Sequence, residues 1–236
     1  MVNSLDTAKD ARVIVLEDAI RRLNELVNNR KMKFHIEYSK LVEILQQTGS
    51  LIYEVKYSYL PPEQLAVLEA TDKIVTSLQE FKQIFNDAKQ SSGYKATTSK
   101  DLHTLAEAAY SFRIVEDFQR KLTTYDDEPG RAVDIIAVEI SQTTPVPDSK
   151  NLTECRCTDG SRIWKIVTNL SNVKAGTKLA CAVLPPVEMM NIVSEAMFLG
   201  GEPLPEATEL GLMADPPAAA LDQSRAQVLL IMKRMI

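Results

Sequence analysis

Apolar positions in the first half of the chain recur at alternating intervals of three and four. Val13, Leu16, Ile20, Leu23 and Val27 mark one stripe, and Phe34, Tyr38, Leu41, Leu45, Thr48, Ile52, Val55 and Tyr59 mark a second. This is the 3.6-residue period of an amphipathic helix with one buried face. The register passes unbroken from Val27 through Lys31 to Phe34, so two helices and one long helix both fit. Pro61-Pro62 ends the second stripe and starts a third helix, because proline is tolerated in a first helical turn but not in a helix interior. The third stripe is Val67, Ala70, Ile74, Ser77, Phe81, Ile84 and Ala88. The tract KQSSGYKATTS predicts a loop, and Thr98 with Asp101 predicts a capped start to a fourth helix carrying Leu102, Leu105, Ala109, Phe112 and Val115. Stripes this narrow need partners, which predicts an antiparallel, up-and-down helical bundle over residues 1–128. Pairing of a long helix with a second subunit satisfies the same pattern.

The period changes after TTYDDEPG. Residues 133–140 are rich in β-branched side chains, TTPVPDS is turn-like, and residues 152–158 alternate up to the turn pair Asp159-Gly160. Residues 162–170, 178–184 and 191–199 follow as short strands. Five strands at this spacing, with little helix between them, predict a small Greek-key β-barrel over residues 129–201. A Pro-rich, acidic connector and an amphipathic helix at residues 222–235 complete the chain over 202–236. The expected class is α+β multidomain, with a helical bundle, a five-stranded barrel and a C-terminal helix.

Composition narrows the function. With 236 residues and 45% hydrophobic side chains, the chain is long enough for two cores. Its net charge of -5 and pI near 5.2 argue against a surface that coats nucleic acid globally, but leave room for a local basic patch. Cys155, Cys157 and Cys181 are odd in number and form no metal-binding spacing, and His35 and His103 lie in the helical half. Free thiols imply a reducing compartment. The N-terminus MVNSLDTAKDAR has no apolar signal core, and no apolar run approaches ~20 residues, so the chain reads as cytoplasmic and not membrane-bound. No Gly-rich phosphate loop, metal cluster or activated nucleophile points to an enzyme or to a cofactor.

Four pieces in the second half resemble one family. They are Asp134 with Ala137 and Val138, then Pro147-Asp148-Ser149-Lys150-Asn151-Leu152, then Ile166-Val167-Thr168-Asn169-Leu170, then Ile192-Val193-Ser194-Glu195-Ala196-Met197. In this order they resemble the tRNA-binding oligonucleotide-fold (OB-fold) domain shared by endothelial monocyte-activating polypeptide-like proteins, C-terminal appendages of methionyl-tRNA synthetases and the N-terminal region of bacterial phenylalanyl-tRNA synthetase β chains. The resemblance covers about a third of the chain. It implies a role in translation, with tRNA or other structured RNA as ligand, an aminoacyl-tRNA synthetase as a candidate partner, and a homodimer. The chain departs from the family where Pro185-Pro186-Val187-Glu188 replaces Lys-Pro-x-Lys, where Ala196 replaces a glycine, and where Val146 replaces a histidine. Residues 131–200 carry seven cations and seven acids. Loss of the basic face is the mark of a competing class, a protein-interaction or assembly module that keeps the fold without binding nucleic acid.

Candidate RNA-binding residues follow from strand alternation and charge. Arg162 and Trp164 share a face with Ile166, where the ring is either a stacking platform for bases or a plug at one end of the barrel core. Lys150, Arg156, Lys174 and Lys178 are candidate phosphate contacts, and the resemblance implies that Ser194 is a hydrogen-bonding group beside the nucleic-acid face. Ser194 lacks a histidine within the barrel to act as its base, which argues against a nucleophile. The methionines Met189, Met190 and Met197 read as packing. Arg21, Arg22, Arg30, Lys31 and Lys33 form the densest basic run, read either as a second phosphate-binding patch or as charges complementing helix C-termini.

Overall fold

The computed structural model describes residues 6–235. The expected domain 1–128 and the reading of the N-terminal leader both begin on residues 1–5, which lie outside the described residues. Helices α1 (Ala11–Asn28), α2 (Tyr38–Lys56), α3 (Pro62–Ala66), α4 (Glu69–Ser91) and α5 (Ser99–Thr124) build the N-terminal domain. Strands β1 (Ile135–Pro145), β2 (Thr153–Thr158), β3 (Ile163–Thr168), β4 (Lys178–Met189) and β5 (Ile192–Phe198) follow, then the two-residue β6 (Gly211–Leu212) and helix α6 (Ala218–Met235).

The two stripes at the start are two helices. Helix α1 stops where Asn29 donates its amide to the Glu25 carbonyl and Arg30 turns into the left-handed region at φ 47°. Residues 31–37 are irregular and carry Met32, Phe34 and Ile36 inward, while Lys33 and His35 face solvent. That period of two mimics the continued helical register at Phe34, which explains why the sequence allowed one long helix. Phe34 meets the Phe85 ring edge-on, with centroids 5.3 Å apart, and Phe85 and Phe81 both pack on Phe112. The third helix is two: α3 is a single short helix after Pro61, and the chain breaks at Val67, which is 72% exposed instead of joining the stripe. Helix α5 starts as expected, the Thr98 hydroxyl accepting the Asp101 amide at 3.1 Å.

Helix α1 is buried on two faces. Val13, Leu16, Ile20, Leu23 and Val27 enter the bundle core, while Ala11, Val15 and Ala19 enter a second core with the sheet and α6. Helix α5 divides likewise: Phe112, Val115, Phe118 and Leu122 face the bundle and Tyr110 and Ile114 the sheet. Helix α6 folds back onto α1, burying Ala220, Ser224, Val228 and Ile231. It also seats the turn at Pro129–Arg131. Ser224 donates to the Gly130 carbonyl at 2.8 Å, and Arg225 grips Glu128 with two bonds of 2.7 Å. A Cβ on Gly130 would meet the Leu221 carbonyl oxygen at 2.8 Å, so only glycine fits there.

The sheet is antiparallel, in the order β3-β2-β1-β4-β5, with β6 added beside β1. Strand β1 serves two neighbours, pairing with β4 over residues 135–139 and with β2 over residues 139–145, and the register shifts between Ile140 and Gln142. The β4–β5 register shifts between Val183 and Val187, around Pro185 and Pro186, which have no amide to give a ladder. Side chains bridge the outer edges of β3 and β5, with the Val167 amide donating to Ser194 Oγ at 3.0 Å and the Lys165 amide to Glu195 Oε2 at 3.3 Å. The three thiols are free and lie in the core of the sheet, and burial pushes Cys155 up to about 11 and Cys157 up to about 12. No helix among the described residues is long and apolar enough to cross a membrane.

A charge cluster ties α5 to the start of β1. Lys121 and Asp134, each 2% exposed, meet at 3.0 Å. Lys121 also donates to the Ala132 carbonyl at 3.0 Å, and Arg113 and Arg120 reach the same carboxylate. Burial opposes ionisation of Asp134, yet Lys121 and Arg113 hold its carboxyl well below the usual range. Asp134→Ala strands Lys121 uncompensated and is expected to lower unfolding stability by about 3–5 kcal/mol in urea titrations. Lys121→Met combined with Asp134→Leu should cost much less, and equal losses would mean that packing, not charge pairing, sets the cost.

Candidate nucleic-acid interface

The outward face of β1, β2 and β3 brings the exposed basic residues of the sheet together. Arg156 on β2 stands opposite Gln142 of β1 and Lys165 of β3, and Lys165 pairs with Glu154 at 3.3 Å. Arg156 has no acidic partner among the described residues. Lys150 projects from the β1–β2 turn. There Asp148 adopts φ 61°, the Val146 amide donates to the Leu152 carbonyl at 3.0 Å, and Ser149 Oγ accepts the Leu152 amide at 3.1 Å. Lys174 is exposed at the β3–β4 turn, which Gly176 closes at φ 83°.

Four other expected contacts are engaged inside the protein. Trp164 is 2% exposed and donates Nε1–H to Asp159 at 2.8 Å, so its ring belongs to the core and offers no free face to a base. Arg162 lies 3.8 Å above that ring and pairs with Glu195. Ser194 is 5% exposed, accepts the Val167 amide and donates to the Ala196 carbonyl at 3.0 Å. Lys178 donates to the carbonyls of Glu206 at 2.6 Å and Thr208 at 2.7 Å, pinning the connector to the sheet. Alternation sent Trp164 and Ser194 inward, as strand geometry requires, and burial then forced each polar atom to find an internal partner.

The basic run of the bundle also divides. Arg21 pairs with Asp18 at 2.6 Å and with Glu25, and Arg22 bridges Asp18 at 2.7 Å and Glu107 at 3.1 Å. Arg30 and Lys33 have no acidic partner among the described residues. With Lys31 they line a cleft of about 340 Å³, which Lys100 and His103 of α5 and Glu188 of β4 complete. The guanidinium of Arg30 rests over the Tyr38 ring, 5.6 Å from its centroid. Lys100 and His103 lay outside the sequence reading, although one signal pointed to Lys100. A lysine in the first turn of a helix opposes the macrodipole, an unfavourable choice unless an anion sits nearby.

Glu188 takes on a different aspect here. Ser99 Oγ donates to its carboxylate at 2.7 Å, and His103 Nε2 lies 3.1 Å from the Pro186 carbonyl. The departure from Lys-Pro-x-Lys thus docks the sheet onto the first turn of α5, where a carboxylate suits the helix dipole and a lysine would not.

The fold defines an α+β protein that carries exposed cations on the outer sheet face and in a cleft between bundle and sheet. Residues 4–124, half of the chain, match the family model described as an alpha helical domain, and the chain belongs to that family. No curated protein matches the chain.

Asp159 holds the only tryptophan of the chain and supplies a titration test. Burial opposes its ionisation, but the Arg162 amide, the Trp164 indole and Ser161 hold its carboxyl at about 2. A carboxyl depressed on folding stabilises the protein above its unfolded pKa of about 3.9 and loses that contribution as pH falls. The stability gap between wild type and Asp159→Asn, read from Trp164 fluorescence in urea, should therefore shrink as pH falls from about 4 to about 2. A gap constant across that window would contradict the assignment.

Proposed function

We propose that this protein is a non-catalytic RNA-binding protein of the cytoplasm, taking tRNA or another structured RNA on the outer sheet face. The sheet is read as an OB-fold barrel. Strand order β3-β2-β1-β4-β5, a bulged β1 shared by two neighbours and side-chain bridging between β3 and β5 support that reading. The observation that carries the RNA reading is the pairing of Arg156 with Lys165 on the outward face of β2 and β3, next to Lys150 at the turn tip. The helical domain serves docking or dimerisation in this account, and the synthetase partner and homodimer implied by the resemblance belong to it.

The protein-interaction reading has one observation in its favour. Trp164, Arg162, Ser194 and Lys178 are all engaged internally, which leaves the sheet few cations for phosphate and no exposed tryptophan for stacking. Binding of tRNA across a salt series separates the two. The RNA reading predicts a log-log slope of several phosphate contacts, at about 0.9 each on duplex or about 0.7 on single strands, reduced by about one contact in Arg156→Glu. Absence of binding at low salt, with a protein partner retained after nuclease treatment, would replace it with the interaction module.

A further inference from the structure

We propose that the cleft between the bundle and the sheet is a phosphate site that takes a backbone phosphate of a bound RNA strand, and that Glu188 occupies the anion's place when no RNA is bound. The inference rests on the RNA-binding reading above and extends it from the sheet to the helical domain.

Charge is the first ground. Arg30, Lys33 and Lys100 line the cleft with no ion pair among the described residues, and Lys31, whose Nζ lies 3.9 Å from Glu107, adds a fourth cation; the lining itself holds two carboxylates, Glu188 and Asp101, in a chain whose net charge is -5. Like charges brought together in this way repel unless an anion joins them. The four cations come from two separate segments, the loop after α1 and the first turn of α5, so the fold and not a local run assembles them.

Geometry is the second. The left-handed backbone of Arg30 and the alternation of residues 31–36 turn Lys33 outward, and Tyr38 lies beneath the Arg30 guanidinium. Lys100 sits in the first turn of the 26-residue α5, where it opposes the dipole in the absence of an anion and completes a phosphate cradle in its presence. A cavity of about 340 Å³ has room for a phosphate group together with its water.

The third ground is the occupant already there. Glu188 enters from the sheet and accepts a hydrogen bond from Ser99 at 2.7 Å, a carboxylate where the dipole and the cations favour negative charge. A phosphodiester brings the same charge with more acceptor oxygens and the neighbouring phosphates of its strand. It competes for the position, and removing the charge of Glu188 removes the competitor.

The test uses the intact chain and two ligands, tRNA and inorganic pyrophosphate, with Lys33→Glu/Lys100→Glu and Glu188→Gln beside wild type and Arg156→Glu. The double reversal should weaken tRNA binding about tenfold and lower the salt slope by one to two contacts, at ~0.7 to ~0.9 each. Glu188→Gln should tighten binding about two- to threefold, a gain that misfolding cannot produce. Full affinity and slope in the double variant, with loss in Arg156→Glu, would overturn the cleft and leave RNA binding on the sheet. Pyrophosphate bound by wild type and lost in the double variant, without tRNA binding, would keep the phosphate site and overturn its RNA source. Neither ligand bound would overturn both.

Discussion

Lys121 and Asp134 meet where the last helix of the bundle gives way to the first strand of the sheet, and both are sealed from water. Desolvating such a pair costs several kcal/mol per ion, so it persists only where geometry and further donors compensate. Here they do: Arg113 and Arg120 reach the same carboxylate, and Lys121 also holds the Ala132 carbonyl. A hydrophobic joint would tolerate sliding, whereas a charge cluster is satisfied in one arrangement only. It sets where β1 starts relative to α5, and every strand of the sheet is registered on β1 directly or through one neighbour.

That constraint makes one body of two domains. Helix α1 lies between two cores, α6 returns across it, and Arg12 ties α1 to the end of α5 through the carbonyls of Tyr125 at 2.9 Å and Asp126 at 3.1 Å. Fixed in this way, the Pro186–Glu188 stretch of β4 comes to rest on the first turn of α5. The walls of the basic cleft belong to both domains, so its shape depends on how that joint holds them together.

Much of the architecture was legible because burial writes periodicity into the chain. The stripes of α1, α2 and α4 and the short alternating strands were visible, and that of α5 only in part, since Phe112 and Val115 are buried while Leu102 and Ala109 are exposed. Two helices at the start were legible beside the alternative of one long helix, which stayed open because Met32, Phe34 and Ile36 keep apolar residues close to where a continued helix would place them. The second face of α1 was missed: Ala11, Val15 and Ala19 are small, and small residues carry little hydrophobic signal although they let elements approach closely. The candidate site was less legible. Residue type marked Arg162 and Lys178 as available and the resemblance marked Ser194, while Trp164 was open between stacking platform and core plug; tertiary structure tells that each is already partnered and that the ring is in the core. Lys100 and His103 join Arg30 and Lys33 across some 70 residues of chain, a juxtaposition no local pattern encodes.

An RNA strand on this molecule would run from the outward face of β2 and β3 toward the first turn of α5, with phosphates engaged on both domains. Lysine acetylation of the intact protein, mapped by mass spectrometry with and without tRNA, tests this most directly. The account predicts protection of Lys150 on the sheet together with Lys33 and Lys100 in the cleft, while Lys40 and Lys73, each paired with a glutamate on the bundle surface, react equally in both samples. Protection confined to one domain, or uniform reactivity at every lysine, would contradict it.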